Sequence, residues 1–128
     1  AGAAGQIAQV PAGLKWVAVE LGDAVHWPLK TVDAADNLGQ VVDRQSLEDM
    51  LRSSSGQEIA IALAASRTPD RGLKRTISAL VAAARDSWLV LIEADSSRTI
   101  SDARLTAWYR LAQACDVPAE NVVLVKED

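Results

Sequence analysis

Apolar positions along the chain fall into two kinds of pattern. Residues 59–65 (IAIALAA), 88–92 (WLVLI) and 122–125 (VVLV) are unbroken apolar runs. Runs without alternation suit strands covered on both faces, as in a parallel sheet. A further β-rich run, residues 14–21 (LKWVAVEL), ends at Gly22 and Asp23, a turn signal. Between the runs the spacing turns helical. Asp43 suits an N-cap before RQSLEDMLRS, where Leu47, Met50 and Leu51 make one apolar stripe. Thr68 suits the next N-cap, with Pro69 at the first helical position and Asp70 at the positive end of the dipole. Leu73, Ile77, Leu80, Val81 and Ala84 then face inward, leaving Arg71, Lys74, Arg75 and Ser78 on the other side. Ser101 can cap the last helix, which turns Leu105, Trp108, Leu111, Ala112 and Cys115 inward and stops at Asp116, Val117 and Pro118.

Residues 22–42 show no sustained period. Trp27 precedes Pro28, which pushes it toward extended backbone. Residues 39–42 fit a short edge strand, and a connection this long in a compact domain is often functional. The order strand, long loop, helix, strand, helix, strand, helix, strand predicts an α/β domain. The expected architecture is a three-layer, open, mostly parallel sheet of about four to five strands, with right-handed crossovers and helices on both faces. It should form a single α/β domain over residues 14–128, preceded at residues 1–13 by a flexible linker or expression remnant of small residues.

Composition narrows the function classes. With 49% hydrophobic and 23% charged residues, the chain is of globular rather than disordered type. Cys115 is the lone cysteine and His26 the lone histidine, which argues against disulfides and against a zinc site made by this chain. A net charge of −4 argues against non-specific nucleic-acid binding. No apolar run approaches the roughly 20 residues of a membrane span, and no signal peptide is visible. The first residue is alanine, so the chain reads as a fragment or a processed form.

Ligands of parallel sheets bind at the carboxyl ends of the strands. Three strand exits should meet there: residues 20–23, 66–71 and 93–98. The turn SRTPDRG is the densest polar cluster. Read as an anion site, it offers the hydroxyls of Ser66 and Thr68, the fork of Arg67, and free N–H groups at a helix start. Read as plain structure, it is a capped helix whose arginines pair with Asp70 or Asp95. Glu20, Asp23, Glu93 and Asp95 could hold magnesium for phosphoryl chemistry, of which Asp23 and Asp95 are the weak metal candidates. No nucleophile or general base accompanies them, and acidic residues at strand exits are ordinary turn formers. Cys115, on an apolar helix face, reads as core rather than as a reactive thiol, and His26 as a loop residue. Trp27, in the irregular segment, is the tryptophan suited to an interface. The signatures GxxxxGK[ST], GxGxxG and GxSxG are absent, and no cofactor is expected.

The run Arg67-Thr68-Pro69-Asp70-Arg71-Gly72, with VVDRQSLEDML before it and a WYRLA helix after it, resembles the carboxyl-terminal part of a bacterial family. That family consists of uncharacterised, predicted membrane proteins often encoded beside a GTPase. The resemblance spans about residues 14–126. It implies a domain on the cytoplasmic face of the inner membrane, tethered by segments upstream, with that GTPase as a partner. It names no catalytic residue. The expected function is therefore a non-enzymatic interaction or regulatory domain, with Arg67, Asp70, Arg71, Arg98 and Trp27 on the presented edge. The alternatives are a nucleotide or phosphate-ligand sensor using residues 66–71, and a magnesium-dependent phosphohydrolase.

Overall fold

The computed structural model describes residues 10–11, 13–19, 38–41, 43–93 and 99–126. They form β1 (Lys15–Val19), β2 (Leu38–Val41), α1 (Arg44–Ser54), β3 (Glu58–Ala64), α2 (Arg71–Ala83), β4 (Asp86–Glu93), α3 (Asp102–Ala114) and β5 (Val122–Lys126). A short 3-10 turn, Ala119–Asn121, leads into β5. The five strands make one sheet in the order β2-β1-β3-β4-β5, and every pairing is parallel. The α/β class and parallel sheet predicted from the apolar runs are what the chain forms.

Strand alternation sorts the core into two layers. Val17, Ile61, Leu63, Leu89 and Leu91 point to one face, where they meet Leu73, Ile77 and Leu80 of α2 and Trp108 and Leu111 of α3. Leu47, Met50 and Leu51 of α1 pack against the same cluster. All three described helices therefore share one face. The steps β2 to β3, β3 to β4 and β4 to β5 cross the sheet in the same sense, so right-handed crossovers bring their helices to one side. The other face carries Trp16, Ala60, Ala62, Val90, Ile92 and Val123, joined by Val10 and Leu14. Ala60 and Ala62 keep this face shallow where β3 runs through the centre of the sheet. The connection from β1 to β2, which runs in the opposite sense, lies outside the described residues.

Helix boundaries follow local chemistry. Asp43 caps α1: its carboxylate accepts from the Ser46 N–H at 2.7 Å, and the Ser46 hydroxyl accepts from the Asp43 N–H at 3.0 Å. Gly56, at φ 72°, ends that helix in the left-handed region and donates to the Ala83 carbonyl. The start of α2 corrects one expectation. The cap is Asp70, not Thr68, and Pro69 stands outside the helix. Pro69 holds Thr68 in extended backbone, and the Asp70 carboxylate then reaches the Leu73 N–H at 2.8 Å. α3 starts at Ser101, as predicted, and ends with Asp116 at φ 64°. There the Val117 N–H returns to the Ala112 carbonyl and the Asp116 N–H to that of Gln113, a Schellman closure. Cys115 is buried, as its helical position implied. β4 runs on to Glu93, which is buried within the strand rather than standing in an exposed exit.

Candidate functional site

The strand order reverses between β1 and β3. In open sheets of this 2-1-3-4-5 order, the crevice beyond the carboxyl ends at that reversal is the usual ligand site. A groove of about 710 Å³ opens on this edge. Val41, at the end of β2, and Arg67, just past β3, both line it, with the carboxyl end of β1 between them in the sheet. The amino ends of two helices converge on it, α1 through Asp43, Arg44 and Leu47 and α2 through Asp70, Arg71 and Gly72. The floor is apolar, with Val41 and Leu73 both buried.

Three guanidinium groups frame this groove, each from a different part of the chain. Arg44 opens α1 and lies 3.8 Å from Glu48, with the arginine side chain 94% exposed. A pair so exposed is weak and screened. Arg67 is half-buried and lies 3.6 Å from Asp70. Arg71 is exposed and makes no ion pair among the described residues. Against these stand two carboxylates, and both already serve as helix caps. Capping governs their titration. The Leu73 N–H, and after it the Arg67 charge, holds the Asp70 carboxyl below the usual carboxylate range. The Ser46 N–H and hydroxyl do the same for Asp43. Each carboxylate therefore stays ionised and engaged in its cap, and the Asp70 carboxylate also keeps Arg67 as an ion-pair partner. Thr76, the remaining hydroxyl on the lining, donates to the Gly72 carbonyl at 3.1 Å. Planar guanidinium forks suit carboxylate or phosphate oxygens, whereas the described lining offers no nucleophile paired with a base.

Of the residues singled out in the sequence, Arg67, Asp70 and Arg71 line the groove. Ser66 and Thr68, in the same turn, are exposed and do not line it. The Ser66 carbonyl instead accepts from the Arg104 guanidinium of α3. Trp27, Arg98, Glu20, Asp23, His26 and Asp95 lie outside the described residues. Among the described residues no group of three or more His, Cys, Asp and Glu gathers as a metal site.

Three contributors escaped sequence reasoning. Arg44 joins the groove because α1 starts beside the carboxyl end of β2. Its only signal was a cation at the first helical position, where the dipole disfavours positive charge. Arg104 and Trp108 hold the turn that carries Arg67. The Trp108 indole N–H donates to the Ala65 carbonyl at 3.2 Å, out of contact with solvent. Contacts spanning some forty positions leave no local trace in a sequence.

The model of the DUF2868 family, described as a protein of unknown function, matches residues 1–117. The chain belongs to that family. No curated protein and no solved structure matches it. The matched span includes all three described helices and the whole arginine groove, and stops just before β5. No described helix is long and apolar enough to cross a membrane.

Proposed function

We propose that this DUF2868 domain is a non-enzymatic binding module that takes an anionic surface of a protein partner into the groove framed by Arg44, Arg67 and Arg71. The observation that carries this reading is the convergence of three guanidinium groups, from three separate segments, on one groove beside the reversal in strand order. The described lining supplies no proton-transfer pair, which favours binding over turnover. The resemblance of residues 67–72 to membrane proteins encoded beside a GTPase supports that GTPase as the first partner to test, and a membrane-tethered chain as the setting. Calorimetric titration of the domain with the GTPase is the direct experiment. Binding should weaken sharply with Arg44→Ala combined with Arg71→Ala. Unchanged affinity in that variant would overturn the assignment of the groove.

One observation favours a second reading, a sensor for a small phosphate-bearing ligand. Two helix amino ends meet at the same groove, and such ends favour anions. A thermal-shift screen with nucleotides separates the readings. A site-specific ligand at a hundredfold excess over its Kd stabilises by about 2.7 kcal/mol, and a flat screen removes the sensor.

A further inference from the structure

We infer that the groove continues along the exposed side of α2 as a docking track for an extended acidic peptide segment of the partner. This inference rests on the binding reading above and names the chemistry of what is bound. A second groove, of about 420 Å³, is lined by Arg71, Lys74, Arg75 and Ser78. It shares Arg71 with the first, so the two grooves adjoin at that side chain. Its polar character is almost wholly cationic, because the Ser78 hydroxyl turns inward to the Cys115 sulfur at 3.2 Å. The sequence of α2, RGLKRTISALVAA, contains no acidic residue. Lys74 and Arg75, like Arg71, make no ion pair among the described residues.

This arrangement runs against helix electrostatics. Positive charge near a helix amino end is unfavourable, yet Arg71 and Lys74 stand in the first turn of α2 and Arg75 begins the second. Departures from local folding rules concentrate at functional or strained sites. The path from Arg71 to Ser78 is roughly 10 Å long at about 1.5 Å per helical residue. A single phosphate group could touch one end of it, whereas an extended peptide carrying several carboxylates could follow it and the groove together. The chain as a whole is net negative, at −4. That field opposes long polyanions such as nucleic acid or an anionic membrane, and leaves the strip suited to a short acidic segment.

The test uses a fluorescein-labelled, Glu-rich synthetic peptide and reads binding by anisotropy. Inorganic phosphate, an oligonucleotide and phosphatidylserine vesicles are the comparison probes. The wild-type chain should bind the peptide with an affinity that falls as salt rises. Lys74→Glu with Arg75→Glu should weaken it by roughly tenfold or more, with the circular dichroism spectrum unchanged. Retention of full affinity in that variant, alongside loss in Arg44→Ala with Arg67→Ala, overturns the track and leaves the groove standing. Tighter binding of vesicles or oligonucleotide than of the peptide overturns the acidic-peptide assignment. Failure of the wild-type chain to bind the peptide overturns the inference outright, and failure to bind the GTPase as well removes the binding reading beneath it.

Discussion

Helices α2 and α3 are both thirteen residues long, begin at a side-chain cap and pack on the same face of the sheet. They treat charge in opposite ways. α3 opens with Asp102 after its Ser101 cap, as the dipole favours, and the cation in its first turn, Arg104, is committed to the Ser66 carbonyl. α2 opens with Arg71 and Lys74, has no acidic residue, and gives these cations no ion pair among the described residues. The contrast teaches which helix is arranged for stability alone. α3 obeys the local rules and braces the turn after β3. α2 meets the same packing demands on its inner side while its outer side departs from them, and the departure lies where the groove opens.

The largest effect should come from the bracing helix. Trp108 is fully buried, so Trp108→Ala should lower the unfolding free energy by about 3–5 kcal/mol in urea denaturation. Trp108→Phe keeps most of the volume but strips the Ala65 carbonyl of its donor, and should cost about 1–3 kcal/mol. If α3 were only peripheral to the fold, neither loss would appear. Next in size is the α3 cap. Ser101→Ala removes the acceptor for the Arg104 N–H and should cost roughly 0.5–2 kcal/mol, with no change across acidic pH because serine does not titrate there.

The α2 cap, by contrast, should be sensitive to pH. The Leu73 N–H and Arg67 lower the Asp70 carboxyl from its ordinary 3.8. Its contribution is therefore complete above that value and is lost as pH falls from there through the lowered folded value. Asp70→Asn keeps an oxygen acceptor for the cap without a titrating group, so its stability should fall less steeply than that of the wild type on acidification. Asp43 titrates in the same direction, so Asp43→Asn is the matching control at the other side of the groove. Parallel acid profiles for the wild type and Asp70→Asn would remove Arg67 and the cap as its cause.

The same contrast marks how far the sequence could be read. The β3–α2 unit was legible because one apolar run and one helical stripe determine it; that its two ends meet, Arg85 lying 2.9 Å from Glu58, was not. The caps Asp43 and Ser101 were legible as well. Thr68 and Asp70 both suit a cap, however, and only the backbone restriction imposed by Pro69 chooses between them. That three helices share one face depends on strand order, which no local pattern encodes. The site was half legible. Arg67, Asp70 and Arg71 sit within one short turn, whereas Arg44 enters through the position of an edge strand and Arg104 through a contact 38 residues away. Ser66 and Thr68 share that turn in the sequence but are exposed and do not line the groove.

The smallest expected stability change is also the most informative. Arg71→Gln with Lys74→Gln retains side-chain length and helix propensity while removing two charges from the amino end of α2. Unfolding and binding to the Glu-rich peptide should be measured on the same variant. The account predicts stability equal to or above the wild type, by up to about 0.3–1 kcal/mol per site, together with weaker binding. Lower stability with binding intact would contradict it, because the cations would then serve the fold rather than a partner.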